Sequence, residues 1–304
     1  MAQLKIIIIL TLFVNSCAEN SSKLVNFVQP NTEIQKTLNI VTWNLQNFPK
    51  NGFETLSYLS ELITEIDVDI IALQEIESKQ ELEYLINLLN GWNSFTANSA
   101  SYDVDLTFLY RDDLALINIS ELEDLDYYFL PRTPLMMEFM WNNQYIYLIN
   151  NHYKCCGDGI IDTTNHWDEE YRRLQSSTAL KSYVESNLAN ENVILLGDLN
   201  DEIQDIEINN VFGPFLDDEN FLFADLNIAN SNSSNWSWPG WNSSYSASHF
   251  DHFIISNELF DDFANSESSC ETLNIEQFSG LDWEEYYRFI SDHKPVLLKL
   301  KINN

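Results

Sequence analysis

The stretch Val193-Ile194-Leu195-Leu196-Gly197-Asp198-Leu199-Asn200 joins an apolar run to an abrupt polar end. A short apolar run bounded by a glycine is typical of a buried β-strand. Polar side chains that follow such a strand are held rigidly, and loops of this kind often carry function. The stretch therefore predicts a strand that delivers Asp198 and Asn200 to a functional site.

Four other segments have the same design, with an apolar run that ends in side chains able to bind a metal or move a proton: Thr42-Trp43-Asn44, Ala72-Leu73-Gln74-Glu75, Ile149-Asn150-Asn151-His152 and Ser291-Asp292-His293. A sixth polar segment, Ser248-His249-Phe250-Asp251-His252, precedes a predicted strand. Each segment alone also fits a turn or the start of a helix. Their joint order along one chain favours a single site.

Hydrophobic periodicity predicts one domain of two stacked sheets with helices on the outside. The 3–4 spacing of apolar residues predicts helices over 56–66, 82–89 and 168–188. Apolar or alternating runs predict strands at 38–43, 69–74, 106–110, 136–141, 144–149, 193–196, 253–256 and 295–302. The segment 230–248 is rich in Asn, Ser and Trp and is interpreted as a long surface loop.

The N-terminus has the pattern of an export signal. Lys5 precedes an apolar run over 6–14 that is shorter than the roughly 20 residues needed to span a bilayer. Cys17 follows in a position that resembles a bacterial lipobox. We interpret residues 1–17 as a lipoprotein-type signal peptide, 18–37 as a flexible tether and 38–304 as the folded domain. The prediction is an outer-membrane or cell-surface lipoprotein with Cys17 lipidated; the alternative is ordinary cleavage and secretion.

The charge balance of the chain is strongly acidic. There are 47 acidic and 15 basic residues, which gives a formal net charge of −32. Such a chain repels nucleic acid and anionic membranes at long range, so it is not expected to hold DNA by electrostatics alone. A bound divalent cation inverts the field locally, so the balance does not exclude an enzyme that acts on phosphates.

Three cysteines follow the predicted signal peptide, namely Cys155, Cys156 and Cys270. An exported protein can form disulfides, and a bond between Cys270 and one of the adjacent pair is an open possibility. Zinc binding by Cys155 and Cys156 is disfavoured because adjacent cysteines lack the usual ligand spacing.

The six polar segments together resemble the endonuclease/exonuclease/phosphatase superfamily, which includes DNase I. The resemblance covers about residues 38–302 and rests on Trp43-Asn44, Gln74-Glu75, Asn151-His152, Gly197-Asp198-Leu199-Asn200, Phe250-Asp251-His252 and Ser291-Asp292-His293. It implies a four-layered α/β sandwich, with two mainly antiparallel sheets packed face to face and helices outside. Only Asp251 in its segment matches a family role, and His249 and His252 are interpreted as incidental loop residues.

The resemblance also implies a divalent metal site. Asn44, Glu75 and Asp292 are the expected ligands, and a hard cation such as Mg²⁺ prefers oxygen ligands of this kind. Mn²⁺ and Ca²⁺ are the alternatives. The metal would stabilise the charge that develops on the phosphate oxygens.

The proton-transfer roles fall on two histidines, because the pKa of histidine lies near neutrality. By resemblance, His293 is the general base and Asp251 orients it. His152 is the general acid or an electrophilic donor to the phosphate. Asp198 and Asn200 orient the water and hold phosphate oxygens. Which histidine serves as acid and which as base stays open.

Charged residues outside the six segments receive supporting roles. Asp105 is the expected partner of His152. Arg111 is expected either to contact a phosphate or to pair with a surface carboxylate. Arg172 and Arg173, at the start of the long predicted helix, are expected to form surface ion pairs.

These roles imply metal-dependent hydrolysis of phosphodiester bonds. We expect an extracytoplasmic endonuclease that acts on nucleic acid. The protein is expected to be a monomer, and the sequence indicates no protein partner. The alternative is a phosphodiesterase or phosphatase for a lipid or small-molecule phosphate, because loops rather than the catalytic set select the substrate. The three tryptophans of segment 235–241 fit a lipid interface, ring stacking or packing under the loop, and packing is favoured. A non-catalytic protein is disfavoured because all six segments are intact.

Overall fold

The structure is a computed structural model that describes residues 36–99, 104–125, 128–240, 246–275, 278 and 280–303. The predicted signal peptide, Cys17, nearly all of the predicted tether and Trp241 lie outside these ranges. None of the helices within them is long and apolar enough to cross a membrane.

Two six-stranded sheets form the centre of the domain. The first contains β1 (Leu38–Phe48), β2 (Ile70–Ile76), β3 (Trp92–Thr96), β4 (Asp105–Arg111), β11 (Ser269–Thr272) and β12 (Val296–Leu300) in the order β11-β12-β1-β2-β4-β3. The second contains β5 (Ala115–Glu121), β6 (Leu135–Trp141), β7 (Gln144–His152), β8 (Asn192–Asp198), β9 (Phe221–Phe223) and β10 (Asp251–Ser256) in the order β5-β6-β7-β8-β10-β9. Each sheet has one parallel pair at its centre, β1 with β2 and β7 with β8, and antiparallel pairs elsewhere.

The helices lie along the chain between these strands. They are α1 (Phe53–Ile66), α2 (Lys79–Leu88), α3 (Glu169–Asn187), α4 (Gly213–Leu216), α5 (Leu226–Ala229), α6 (Phe260–Phe263) and α7 (Trp283–Phe289). The long helix α3 begins after Asp168, whose carboxylate accepts a hydrogen bond from Tyr171 N. That carboxylate satisfies one of the free N–H groups at the helix start, which stabilises the end.

Both faces of each sheet are buried, because successive side chains of a strand point to opposite sides. Along β1, Ile40 lies in the core between the sheets with Leu148 of β7, whereas Val41 packs with Leu59 of α1 on the outer face. The outer face of the second sheet packs on α3 through a third cluster. The layers are therefore helix, sheet, sheet and helix, which confirms the predicted sandwich.

The predicted surface loop and the possible disulfide of Cys270 can both be compared with the structure. The segment predicted as a surface loop contains a short 3₁₀ turn, Ser233–Asn235, and Trp236 packs against the core between the sheets. Cys270 lies in that core as a free thiol, whereas Cys155 and Cys156 follow β7, so the disulfide considered for Cys270 is not formed.

Candidate active site

The two parallel strand pairs bring the polar segments to one end of the sandwich. Asn44 lies opposite Gln74 in the β1–β2 register, and His152 lies opposite Asp198 in the β7–β8 register. Asp198 also lies opposite Asp251 of β10. Because parallel strands end at the same edge, the sequence order of these segments becomes a spatial cluster.

A hydrogen-bonded bridge joins the two sheets beneath this cluster. Gln74 Nε2 donates to Asn150 Oδ1 at 2.8 Å, and Asn150 Nδ2 donates to the Leu73 carbonyl at 3.0 Å. All of these groups are buried. Hydrogen bonds between buried amides fix the relative position of the strands that carry them, so the bridge holds the catalytic ends of β2 and β7 together.

Two functional side chains depend on unusual backbone. Glu75 has φ 62° at a register shift between Leu73 and Ile76, and Asn200 has φ 54°. A positive φ is uncommon for residues other than glycine and is concentrated at functional sites. The irregularity at Glu75 interrupts the alternation of β2 and directs its carboxylate toward the site.

Gly197 permits the close approach of β7 and β8. A Cβ atom at this position would lie 1.9 Å from the Asn151 carbonyl oxygen, and the glycine has φ 137°. No side chain fits there without moving the β7 backbone. The glycine of the Gly-Asp-Leu-Asn motif is therefore required for the contact that sets His152 beside Asp198.

Asp198 is the centre of the cluster. Its Oδ2 accepts a hydrogen bond from Asn44 Nδ2 at 2.8 Å and lies 3.6 Å from His152 Nε2 and 3.8 Å from His293 Nε2. Burial raises the pKa of Asp198 to about 7, with Asp251 adding to the rise and His293 opposing it. A carboxyl group with a pKa near neutrality can exchange a proton at physiological pH.

His293 is oriented by Asp251 and by its own backbone. Its Nδ1 lies 2.7 Å from Asp251 Oδ2, and its backbone N–H donates to Ser291 Oγ at 3.0 Å. Burial lowers the pKa of His293, but the carboxylates of Asp251 and Asp198 outweigh it and raise the pKa to about 10. The pairing leaves Nε2 directed at the cluster, where a reacting group can meet it.

His152 has the opposite electrostatic environment. Burial, followed by the charges of Arg132, His293 and Lys154, lowers its pKa well below the usual value, so the imidazole is neutral at pH 7. Its Nδ1 is buried and has no hydrogen-bond partner among the described residues. The two histidines of the site therefore differ in charge.

The expected pairing of Asp105 with His152 is not found. Asp105 lies at the same edge of the sheet, opposite Ile76, but its Oδ2 forms an ion pair with Lys79 Nζ at 3.0 Å. The lysine at the start of α2 provides a charge partner that His152, held neutral by burial, does not.

The carboxylates of the cluster fit a divalent cation. Glu75, Asp198, Asp251 and Asp292 converge on one end of the sandwich, and ligand atoms of Asp198, Asp251 and His293 lie within 4.8 Å of one another. Asp251 Oδ1 is buried without a hydrogen-bond partner among the described residues. Crowded, under-satisfied oxygen atoms of this kind are the ligands that hard divalent ions prefer.

Asn44 is oriented differently from the predicted ligand. Its amide nitrogen donates to Asp198 and, at 3.2 Å, to Glu75 Oε1, while its oxygen accepts from Gln46 N at 2.8 Å. In this arrangement Asn44 holds two carboxylates in place, and an oxygen contact to a metal would require the amide to turn over. Glu75 and Asp292 remain the predicted carboxylate ligands.

Trp238 contacts the site through Asp292. Its Nε1 donates to Asp292 Oδ2 at 3.3 Å, and its ring packs 5.5 Å from that of Phe250. The packing interpretation of the aromatic segment is therefore confirmed for Trp236 and Trp238. A tryptophan in this position limits the freedom of the carboxylate that it holds.

Sequence reasoning missed Arg132, which lies on the chain just before β6. Its Nη1 donates to the Tyr153 carbonyl at 3.5 Å, and its Nε is buried with no partner among the described residues. Burial lowers the pKa of Arg132, and the negative charges of Glu75 and Asp198 oppose this. The residue does not follow a strand, so the pattern that located the other residues did not include it.

Arg111 and Arg173 form ion pairs with carboxylates outside the catalytic cluster. Arg111 is at the opposite end of β4, where it pairs with Asp67 at 3.0 Å and stacks over Trp92. Arg173, expected on the surface, is buried and contacts Asp201 Oδ2 at 2.8 Å and Glu170 Oε1 at 3.3 Å. The prediction for Arg173 was wrong because the Gly-Asp-Leu-Asn turn places Asp201 beneath α3.

Arg173 also fixes the loop that follows His152. Its Nη1 donates to the carbonyl oxygens of Lys154 at 2.9 Å and Cys156 at 2.7 Å. The adjacent thiols of Cys155 and Cys156 lie 3.0 Å apart at the outer edge of this loop. A charged arginine that satisfies backbone carbonyls can order such a loop without a disulfide.

A second cluster of acid and imidazole groups lies deeper in the fold. Asp225 Oδ2 lies 2.7 Å from His252 Nδ1 and 3.0 Å from His249 Nε2, and all three residues are buried. The Asp201 carbonyl lies 2.9 Å from His252 Nε2. Both nitrogens of His252 thus face acceptors within the protein, so the expectation that these histidines are incidental loop residues was wrong.

Comparison with known proteins identifies the family to which the chain belongs. The model of the endonuclease/exonuclease/phosphatase family matches residues 41–293. The carboxylates and the two histidines of the site all lie within the matched residues, and members of this family are phosphoester hydrolases. The chain belongs to the endonuclease/exonuclease/phosphatase family. No curated protein matches the chain by sequence.

Solved structures share the fold at low sequence identity. D. rerio TDP2 complexed with single-strand DNA product has a TM-score of 0.64 at 15% identity, over 88% of this chain and 99% of that chain. The endonuclease/exonuclease/phosphatase from Bacteroides vulgatus has a TM-score of 0.64 at 12% identity, over 88% and 100%. A mannosyl-6-phosphatase from Bacteroides thetaiotaomicron has a TM-score of 0.57 at 15% identity, over 87% and 100%.

Proposed function

We propose that the protein is a divalent-metal-dependent phosphodiesterase that cleaves nucleic acid, with Mg²⁺ as the metal. The observation that carries the proposal is the arrangement around Asp198, where a charged His293 and a neutral His152 approach the same carboxylate oxygen. Hydrolysis of a phosphodiester needs one group to take a proton from water and another to protonate the leaving alkoxide. His152 and His293, which both approach Asp198 Oδ2, are the side chains placed to take these roles.

Glu75 and Asp292 would hold the metal, which would supply charge neutralisation at the phosphate oxygens. A bound divalent cation would also oppose the positive charge on His293, because like charges repel. His293 in its neutral form would accept the proton of the attacking water through Nε2, and the Nδ1 contact with Asp251 would stabilise the imidazolium that forms. His152, whose Nε2 lies 3.6 Å from the same Asp198 oxygen, donates a hydrogen bond to the phosphate or the leaving oxygen.

Arg132 would bind a phosphate oxygen. Its Nε has no hydrogen-bond partner among the described residues, and the negative charges of Glu75 and Asp198 act on the guanidinium. A buried donor without a partner costs free energy, which a bound anion recovers. Arginine forms strong charge-assisted hydrogen bonds with phosphate oxygens.

Single-stranded nucleic acid is the preferred substrate in this proposal. Duplex binding depends on many lysine and arginine contacts to phosphates, and a chain with 15 basic and 47 acidic residues is poorly suited to it. The single-strand DNA product bound to the structurally similar TDP2 supports the same choice. A small-molecule phosphoester is the second candidate. A small substrate needs few contacts from basic residues, and a mannosyl-6-phosphatase is among the structurally similar proteins.

The test is a substrate comparison with the purified protein. Single-stranded DNA, RNA, supercoiled DNA and sphingomyelin are each incubated with Mg²⁺ and with EDTA. We expect Mg²⁺-dependent cleavage of the single strands to exceed nicking of the duplex. Turnover of sphingomyelin alone would replace the nuclease proposal with the lipid alternative.

We also propose that the protein is exported and anchored to the membrane through a lipid on Cys17, as the N-terminal pattern indicates. Growth of an expressing bacterium with labelled palmitate is expected to label the protein. The label should disappear in Cys17→Ala. Labelling that persists in the variant would contradict the anchor.

A further inference from the structure

A cleft of about 370 Å³ borders the segment that carries Asp292 and His293. Its walls come from the turn before Trp236, from the chain after β11 and from the start of α7. The lining residues used below are Asn235, Thr272, Leu273, Asn274, Trp283 and Lys294. The size is within the range of pockets that bind small molecules.

The cleft is joined directly to the catalytic segment. Tyr286 lies in its wall and donates its hydroxyl hydrogen to the His293 carbonyl at 2.6 Å. Lys294, the next residue along the chain, lines the cleft on the same side, and its backbone N–H donates to the Ser237 carbonyl at 2.7 Å. The cleft therefore borders the backbone of the segment that carries Asp292 and His293.

The chemistry of the walls fits a ring with hydroxyl groups. Leu273 is a buried apolar residue, and Trp283 is a half-buried aromatic one. Asn235 and Asn274 add exposed amides at the rim. Aromatic rings pack well on the apolar face of a flat ring, and amides exchange hydrogen bonds with its hydroxyls.

Thr272 provides a second, independent observation. Its Oγ1 is buried and has no hydrogen-bond partner among the residues that the structure describes. An unsatisfied buried hydroxyl is uncommon in a folded protein and calls for a physical explanation. A ligand hydroxyl in the cleft would satisfy it.

The ammonium group of Lys294, which lines the cleft, is bound by other groups of the protein. Lys294 Nζ donates to the Ser234 carbonyl at 2.9 Å and lies 5.8 Å from the centre of the Trp283 ring. This contact orders the tryptophan beside the cleft. The chain as a whole repels anions at long range. Contacts to the uncharged part of a phosphorylated substrate therefore contribute a larger share of its binding free energy.

We propose that this cleft binds the sugar ring of the group esterified to the phosphate, with Trp283 against the ring and Thr272 bonded to a ring hydroxyl. The sugar belongs either to a nucleotide or to a sugar phosphate. The inference rests on the proposed function, since it assumes that the phosphate is bound at the carboxylate and histidine cluster.

The test is titration calorimetry in Mg²⁺ with thymidine 5′-monophosphate, glucose 6-phosphate and inorganic phosphate. In Trp283→Leu we expect the affinity for the sugar-containing ligands to fall by about tenfold, with that for inorganic phosphate unchanged. A loss confined to thymidine monophosphate assigns the cleft to nucleotides, and a loss confined to glucose 6-phosphate assigns it to sugar phosphates. The proposal is overturned if the variant weakens all three ligands equally or none.

Two further variants separate binding from structure. Thr272→Val keeps the shape of the side chain and removes the unsatisfied hydroxyl, so it should weaken the sugar-containing ligands without lowering the unfolding temperature. Trp167→Leu replaces an exposed tryptophan outside the cleft and should leave all affinities unchanged. Hydrolysis of methyl p-nitrophenyl phosphate, which has no sugar, reports on the proposed function separately. Its absence beside an intact Trp283 effect would contradict the function and leave the cleft standing.

Discussion

The two clusters of aspartate and histidine in this protein use the same groups for different purposes. In the outer cluster, Asp251 occupies Nδ1 of His293 and leaves Nε2 directed at Asp198, 3.8 Å away. In the inner cluster, Asp225 and the Asp201 carbonyl occupy both nitrogens of His252. A histidine with one nitrogen left for a ligand can do chemistry, whereas a histidine with both nitrogens bonded within the protein stabilises the fold.

Electrostatics separates the clusters in the same way. Burial raises the pKa of Asp198 to about 7, and the carboxylates of Asp251 and Glu75 add to the rise while His293 opposes it. Burial would also raise the pKa of Asp225, but the charge of His252 and hydrogen bonds from both histidines lower it. The outer cluster therefore has an excess of negative charge that a cation can neutralise, and the inner cluster is balanced by its own imidazolium.

The largest expected effect is on catalysis by the outer cluster. His293→Gln removes the imidazole while keeping a polar side chain, and kcat for bis-p-nitrophenyl phosphate in Mg²⁺ should fall by about 10²–10⁴-fold. The matched control is His252→Gln, the same substitution in the inner cluster, which should retain kcat per folded molecule. An equal loss of kcat in both variants would contradict the assignment of catalysis to the outer cluster alone.

Arg132 should contribute the next largest effect on activity. Arg132→Gln removes a donor expected to contact phosphate, and kcat/KM should fall by about 10²–10³-fold. The unfolding temperature should change little, because the guanidinium loses one long hydrogen bond, from Nη1 to the Tyr153 carbonyl at 3.5 Å, and Nε has no partner among the described residues. Arg111→Gln, at the far end of β4, is the control and should leave the kinetics unchanged. A stability loss in Arg132→Gln with normal kinetics would show a structural role instead.

The inner cluster should dominate stability. His252→Gln leaves the buried Asp225 carboxylate without its charge partner, and the free energy of unfolding should fall by about 3 kcal/mol. Urea unfolding at pH 6 measures this loss. A variant as stable as the unmodified protein would mean that the pair contributes nothing to the fold.

The pH dependence of stability should show the same pair, with a smaller effect. The pKa of Asp225 is lowered, so its contribution is present above the unfolded value of about 3.9 and is lost as the pH falls through the folded pKa. The pKa of His252 is raised by Asp225, against the effect of burial, so its contribution is complete below about 6.5 and is lost as the pH rises through the folded pKa.

The stability difference between the unmodified protein and His252→Gln should therefore be largest between about pH 4 and 6.5 and should shrink at higher pH. Denaturant unfolding at several pH values gives the profile. If the difference in the free energy of unfolding grew above pH 7, His252 would not carry the positive charge assigned to it.

The fold was largely predictable because its strands combine apolar runs with clear polar ends. Residues 193–200 predicted β8 and the position of Asp198, and the same rule located Glu75, His152 and His293. A strand signal of this kind is local, so it survives in a single sequence. The start of β10 at Asp251 was missed because His252 is polar, although it is fully buried by its partners.

The partners of each side chain were less predictable because they depend on contacts between distant elements. Asp105 bonds Lys79 rather than His152, and Arg173 is buried by Asp201, although neither pairing has a sequence signal. Asp225 and His252 are 27 residues apart and meet only once β10 is paired. Arg132 has no motif of its own, and only its burial beside Glu75 and Asp198 identified it.

The most direct test of the central claim is the hydrolysis of bis-p-nitrophenyl phosphate by the unmodified protein and by His293→Gln, each with Mg²⁺ and with EDTA. The account predicts turnover only for the unmodified protein with Mg²⁺, and its loss by about 10²–10⁴-fold in the variant. Turnover that is equal in EDTA, or equal in the variant, would contradict a metal-dependent site built around His293.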